Sequence, residues 1–286
     1  MIDVAASVLT LLDEQGRQHE TFSGPFNFNL YSALCAYLGE GLATTGNFGE
    51  GESWCEKACV LSRETGNPYS MAFAETIHSL MYISRGDGRK VIEHAGEAAR
   101  YAQEGEIVTV LSLVPMNLGW AHYFLGEPET ALRHLEGGMQ QLRDSGLSMF
   151  LSEHYACLAM IHLDWNDLEQ ARDCAQEALR YALNEGEKRV EAMAGFILGK
   201  VQGRIDPSRV DEAERSIMRS IDSLNALQSR PYLSQAYLAL GELHADTGSR
   251  EKALPALKTA EDMFREMGMD YWLGRTQRVV ERLEAV

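Results

Sequence analysis

The stretch LGWAHYFLGEPETALRHLEGGM, residues 118–139, sets Gly119, Gly126 and Gly138 in a region of helix-forming residues, with Ala131 between the last two. A glycine inside a helix costs about 0.5–1 kcal/mol against alanine, so helical glycines need a compensating contact. LGELHADTGSREKALPALKTAE, residues 240–261, has the same length and places Gly241, Gly248, Ala253 and Ala260 at the same offsets. Two copies of one pattern point to a repeat, and its period decides the architecture before any single element does.

Aligned on the small residue of the first helix, the chain gives Gly39, Ser79, Gly119, Ala159, Gly199 and Gly241, spaced 40 apart with two extra residues in the last interval. Seven residues later stand Gly46, Gly86, Gly126, Asn166 and Gly248; the fifth unit has the insertion GRIDPSR there. Twelve residues after the marker come Gly51, Val91, Ala131, Ala171, Ala213 (with the insertion counted) and Ala253. Seven beyond these are Ala58, Ala98, Gly138, Ala178, Ser220 and Ala260. Units close on Gly66, Gly105, Gly146, Gly186 and Gly268, as a left-handed helix cap requires, while the fifth has Gln228 and takes its break from the following SRP. Each unit reads as a helix A, a tight turn and a helix B. The small residues let the paired backbones approach, Gly119 against Ala131 in the third unit.

The expected fold is all-α, a right-handed superhelical solenoid of about 14 helices in antiparallel hairpins, without strands. One repeat domain is expected over 1–286: a partial unit and loop in 1–28, six repeats in 29–268 and a capping helix in 269–286. IDVAASVLTLLDEQ, residues 2–15, reads as a helix B without its partner, which places Met1 near a cut through a longer chain. The aromatic loop RQHETFSGPFNFN follows it. In the last helix Arg275, Arg278, Glu281, Arg282 and Glu284 supply the polar positions of a cap. Pro115, in the middle of a helix A, should kink it.

Lysine plus arginine number 26 against 42 aspartates and glutamates, a formal charge of −16, which argues against direct binding of nucleic acid. No basic-then-apolar leader opens the sequence, and the apolar run 108–125 contains Pro115, Asn117 and His122 and coincides with a repeat unit. It reads as a buried helix, so a cytoplasmic protein without membrane contact is expected. The five cysteines, Cys35, Cys55, Cys59, Cys157 and Cys174, mostly lie in apolar helical contexts and read as reduced core residues. Cys55 and Cys59 are one turn apart and could share a metal, but no second pair has finger-like spacing, and no metal is expected.

The Leu-Gly pairs Leu38-Gly39, Leu118-Gly119, Leu198-Gly199 and Leu240-Gly241, the aromatic Tyr82 and the following Gly, Ala and Ala together resemble the tetratricopeptide repeat. The period of 40 exceeds the standard length of about 34, so longer helices are expected. Long units ending in REKALPALKTAEDMFREMGMDYWLGRTQ resemble the C-terminal helical region of large bacterial signalling proteins. In those, the region follows an ATPase module of the AAA or STAND type, often with an adenylate or guanylate cyclase domain or a DNA-binding transcription-activator domain. Neither a Walker lysine motif nor cyclase residues occur here, so none of those activities carries over.

His122, His162 and His244 recur at one position of three units; they form a packing column without a carboxylate ring and read as core or interface residues. No nucleophile elbow, phosphate loop or dinucleotide fingerprint stands where a strand, turn and helix could use it, so catalysis and a cofactor are not expected. Binding is the remaining class. The resemblance places a concave groove on helix A, at offsets that select Phe73, Leu80 and Ile83; Met116, Trp120, Tyr123 and Phe124; Met160 and Leu163; and Phe196, Lys200 and Arg204. These make an aromatic and methionine floor with a basic edge, suited to adaptable recognition, or else an ordinary core stripe. The reading is a non-catalytic sensor and protein-interaction region that binds a protein or peptide segment, or a small effector. An autonomous adaptor without an upstream catalytic module is the alternative. Oligomeric state is not legible.

Overall fold

A computed structural model describes residues 2–22, 28–148 and 150–285. The chain divides into two compact units, Met1–Gly138 and Met139–Val286. The first begins with α1 (Ile2–Glu14), a two-residue antiparallel pair β1 (Thr21–Phe22) and β2 (Phe28–Asn29), and the hairpin α2 (Leu30–Thr44) and α3 (Phe48–Thr65). It continues with α4 (Pro68–Arg85), α5 (Gly88–Glu104), α6 (Val108–Leu111), α7 (Val114–Phe124) and α8 (Pro128–Asp144), within which the division falls. The second unit has α9 (Leu151–Asp164), α10 (Leu168–Glu185), α11 (Lys188–Ile205), α12 (Val210–Ala226), α13 (Arg230–Asp246), α14 (Arg250–Met267) and α15 (Asp270–Glu284). Residues 23–27 of the aromatic loop lie outside the described residues. The short β pair is a departure from the strand-free expectation.

The turns fall where the forty-residue spacing puts them. Gly46, Gly66, Gly86, Gly126, Gly146, Gly186, Gly248 and Gly268 all have positive φ, and Asn166 takes the same left-handed conformation at φ 62°. Two details differ. Gly105 stays at φ −96° and the next residue, Glu106, turns left-handed at 53°. Gln228 is itself left-handed, at 54°, so the fifth unit turns as the others do although it lacks glycine. Helix starts are held by side-chain caps: Asn67 Oδ1 accepts the Ser70 N–H at 2.9 Å, and Asp87 and Asp167 do the same for Lys90 and Gln170.

Proline 115 breaks its helix where a kink was expected. Its missing N–H would have bonded the carbonyl of Leu111, and its ring crowds that oxygen, so the helix ends as α6 and restarts as α7 with Pro115 in the first turn. Pro255, by contrast, lies inside a continuous α14.

The glycine markers fill a close approach, though with a different partner from the one expected. A Cβ on Gly119 would lie 2.5 Å from Cγ and Cδ2 of Leu135, sixteen residues on and one turn beyond Ala131. Gly241 meets Leu257 in the same way, Gly199 meets Ile217, and Gly39 meets Cys55 Sγ at 2.5 Å and the Gly51 carbonyl at 2.6 Å. Where the marker has a side chain, Ser79 and Ala159, the corresponding residue shrinks to Ala95 and Ala175. All six partners are fully buried. Helix A thus provides a hole and helix B a knob of matching volume, as close packing demands. Ser79 adds a polar tie, its Oγ accepting the Asn117 Nδ2 hydrogen at 3.0 Å from the next helix A.

Within each unit, helix B packs against its own helix A and the next one, and successive A helices also touch: α2, α4 and α7 in the first unit, and α9, α11, α13 and α15 in the second. α1 covers the first hairpin through Ala5, Leu9 and Leu12, which join Tyr31, Cys35 and Ala58 in one buried cluster.

Candidate functional site

Of the twelve residues singled out for a groove, Ile83, Met116, Trp120, Tyr123, Phe124, Met160, Leu163, Phe196 and Lys200 are buried, and only Phe73, Leu80 and Arg204 are partly exposed. Trp120 stacks on Phe124 at 5.7 Å and meets Tyr123 edge-on at 5.9 Å, so the third unit's stripe forms an aromatic cluster. The stripe is thus largely buried, with Phe73, Leu80 and Arg204 at its accessible positions.

Lys200 and Arg204 lie in an ionic network inside the second unit. The Lys200 ammonium pairs with Glu242 on α13, and Arg275 from α15 donates through Nε to the other Glu242 oxygen at 3.0 Å. Arg275 also holds Asp164, at the end of α9, through two hydrogen bonds of 2.8 and 2.9 Å. Burial alone would raise the Glu242 carboxyl, but the charges of Arg275 and Lys200 outweigh it and hold it at about 2. Arg204 reaches the Leu163 carbonyl at 3.2 Å and Asn166 Oδ1 at 2.8 Å, with Asp246 at 3.7 Å. The expected basic edge is therefore neutralised by acidic partners one repeat on, Glu242 and Asp246. Arg275, expected as a solvated cap position, turns inward instead; only 13% of its side chain is exposed.

Each histidine of the column has a carboxylate nearby, but only His122 is hydrogen-bonded to it. His122 Nδ1 bonds Glu127 at 2.7 Å, His162 lies 3.6 Å from Asp167, and His244 Nε2 lies 3.8 Å from Glu214. Glu127 and Asp167 stand at the start of the following helix B. In the third unit the histidine thus ties helix A to helix B, while in the fourth Asp167 lies near the ring without a hydrogen bond.

An open apolar pocket is found on the first two A helices. Phe28, Ala33, Tyr37, Tyr69 and Phe73 line it with Asn29, Ser32 and Ser70, around a cavity of about 180 Å³. Ala33 and Phe73 occupy the same groove offset in units one and two, so Phe73 is one predicted groove residue that does face a cavity. Tyr37 meets Phe73 edge-on at 5.3 Å, and Tyr69 stacks on it at 6.4 Å. Such rings give a rigid apolar wall. The polar rim is already ordered: Asn29 caps α2 through the Ser32 N–H, donates Nδ2 to the Gln18 and Glu20 carbonyls, and gives its own N–H to Ser70 Oγ at 2.9 Å. Burial, then Glu40 and Tyr69, raise the Tyr37 phenol above its ordinary value, leaving it a neutral donor at 39% exposure. An apolar cavity of ~150 Å³ holds a benzene ring, so the pocket suits one aromatic or branched side chain and is too small for a whole effector of ordinary size. Tyr37 and Tyr69 escaped the sequence reading because they lie off the groove offsets; their position beside Phe73 depends on how α2 and α4 cross.

A family model of the MalT-like TPR region matches residues 72–285. Among solved structures, the apo form of RapI is similar at a TM-score of 0.67 and 13% sequence identity, covering 93% of this chain and 93% of that one. At that identity the likeness concerns the fold, which is the all-α, TPR-like repeat solenoid anticipated from the spacing. No match is found among curated proteins. Among the described residues, no helix is long and apolar enough to cross a membrane. Repeats of this type serve as protein-interaction modules, built to present extended binding surfaces.

Proposed function

The chain belongs to the MalT-like TPR family, and on that premise we propose that it is a non-catalytic interaction and sensor region of a multidomain bacterial signalling or regulatory protein. It binds a segment of a protein partner, which seats one aromatic or branched apolar side chain between Tyr37, Tyr69 and Phe73. The observation that supports this reading is the pocket itself, an open apolar cavity with an ordered polar rim on the A helices of the first two repeats. The cavity volume favours a peptide anchor over a free effector.

The test places a photo-crosslinking amino acid at Tyr37 in the native full-length protein, with a control at the exposed Leu183 on α10. The captured partner is then titrated against wild type and Phe73→Ala. Loss of an anchor contact worth about 2 kcal/mol lowers affinity about 30-fold. Capture at position 37 but not 183, with that loss, is the expected result. Unchanged affinity of a Phe73→Ala protein with wild-type circular dichroism refutes the reading.

A further inference from the structure

Four chemistry-bearing residues converge in the first compact unit: Cys59 on α3, Glu75 and His78 on α4, and His94 on α5. Cys59, Glu75 and His78 are each at least 96% buried. Their donor atoms lie within 4.8 Å of one another, with Cys59 Sγ 3.9 Å from His78 Nδ1. The His94 ring stacks on His78 at 3.8 Å and its Nδ1 donates to Glu75 Oε2 at 2.7 Å. Arg63, half exposed, touches the other carboxylate oxygen at 3.3 Å. Together these groups border a cavity of about 400 Å³.

Two features of this cluster have no structural explanation in the repeat. His78 is 98% buried and lines the cavity, yet among the described residues its Nε2 has no hydrogen-bond partner and its Nδ1 meets the Cys59 thiol at 3.9 Å. A buried polar atom left without a partner costs about 1–3 kcal/mol, which a packing histidine would be expected to avoid. The cavity wall is also acidic: Glu56, Glu75, Glu93 and Glu97 outnumber Arg63 and Lys90. Helix packing alone requires neither a lone imidazole nor four carboxylates around a void.

We propose that this cluster is a site for a borderline-soft divalent cation, Zn²⁺ in the first place, with Cys59 Sγ, a His78 ring nitrogen and a Glu75 oxygen as ligands. Thiolate, imidazole and carboxylate are the zinc donor set, and three protein ligands beside an open cavity leave the fourth position to water. Ligand atoms of a tetrahedral zinc site are roughly 3.3–3.7 Å apart for bonds of about 2.0–2.3 Å, so the three donors close in by about 1 Å, within the reach of side-chain rotation. His94 is a positioning residue: its hydrogen bond fixes the Glu75 carboxylate, as outer-shell partners of metal ligands do. Burial, then His94 and Lys90, push the His78 imidazole down to about 3, which keeps it neutral and ready to ligate at neutral pH. Burial and Glu75 raise the Cys59 thiol, so it stays protonated in the empty site, and the cation must displace that proton to solvent as the thiolate–metal bond forms. Cys55, one turn away, turns toward the Ala36 carbonyl and takes no part.

The experiment treats the full chain with chelator and titrates it with Zn²⁺ by calorimetry and with Co²⁺ by absorption. Expected are one equivalent bound, a thiolate-to-cobalt charge-transfer band with the intense visible bands of a four-coordinate site, and a raised unfolding temperature. Cys59→Ala abolishes the charge-transfer band and weakens Zn²⁺ at least 100-fold, His94→Gln weakens it about 10-fold, and Cys55→Ala changes neither. X-ray absorption on the zinc-loaded wild type keeps the test independent of any variant's folding and finds one sulfur with nitrogen and oxygen scatterers. Millimolar binding only, a zinc shell without sulfur, or an unchanged cobalt spectrum in folded Cys59→Ala overturns the proposal.

Discussion

Replacing Gly119 and Leu135 by alanine, singly and together, tests the hole-and-knob pairing that spaces the hairpins. The methyl added at position 119 would lie 2.5 Å from Leu135 Cγ and Cδ2, and Leu135 is fully buried with little room to swing away. That is about 1 Å inside ordinary carbon contact of 3.5–4.0 Å, an overpacking of about 1–3 kcal/mol, offset by about 1 kcal/mol of helix propensity. Gly119→Ala therefore loses about 1 kcal/mol. Leu135→Ala opens a void beside a residue with no side chain and loses about 3–4 kcal/mol. Independent sites would lose the sum, about 4–5 kcal/mol; the double variant loses about 2, because the new methyl refills the void and keeps its helix propensity. It reproduces the pairing that the fourth unit already has in Ala159 and Ala175. Urea unfolding followed by far-UV circular dichroism measures all four proteins, and a favourable coupling of about 2–3 kcal/mol is the expected outcome. Losses that add to within about 0.5 kcal/mol would refute the pairing. The first unit supplies the contrast: at Gly39 the added methyl also meets the Gly51 carbonyl at 2.6 Å, which Cys55→Ala cannot relieve, so coupling there is weaker.

Two further perturbations address charge and turn geometry. Glu242 is held at about 2 in the folded chain against 4.5 as its ordinary value, so between those pH values the unfolded chain binds a proton that the folded chain does not. The stabilisation is complete above about pH 4.5 and is lost as pH falls toward 2, and Glu242→Gln flattens that limb in acid-unfolding curves. At neutral pH the same variant leaves Lys200 and Arg275 short of counter-charge and loses about 3–5 kcal/mol; unchanged stability would show that the network carries no weight. Gln228→Gly relieves a left-handed non-glycine turn at φ 54° and raises stability by about 0.5–1 kcal/mol, read as a higher thermal midpoint; a lower one refutes the strain.

The repeat could be read from the sequence because glycine and alanine are forced wherever backbones approach or turn left-handed, and such constraints leave marks at fixed spacing. Where other residues met the same demand, the marks were fainter: Gln228 and Glu106 turn left-handed without being glycine, and Leu135 fills the hole at Gly119 while looking like any other core leucine. Long-range partners were beyond reach. Nothing local to Arg275 tells that Asp164, far back along the chain, will take both arms of its guanidinium. For the same reason Trp120 and Tyr123 gave an apolar stripe whose exposure only the packing of neighbours could decide. Cys59 and His78 sat in different repeats with no common motif, and only the crossing of α3, α4 and α5 brings thiol and imidazole together.

The volume match between marker and partner also governs how such a chain can be rearranged in evolution. Hole and knob belong to the same hairpin, only sixteen residues apart in most units. A genetic exchange that moves a hairpin whole carries both and leaves the fit intact. A crossover inside the hairpin would join Gly119 to an alanine like Ala175, or Ala159 to a leucine like Leu135, and yield a gap or a collision. Viable recombinants should accordingly have their junctions in the loops between hairpins, which makes the hairpin the unit of inheritance as well as of folding.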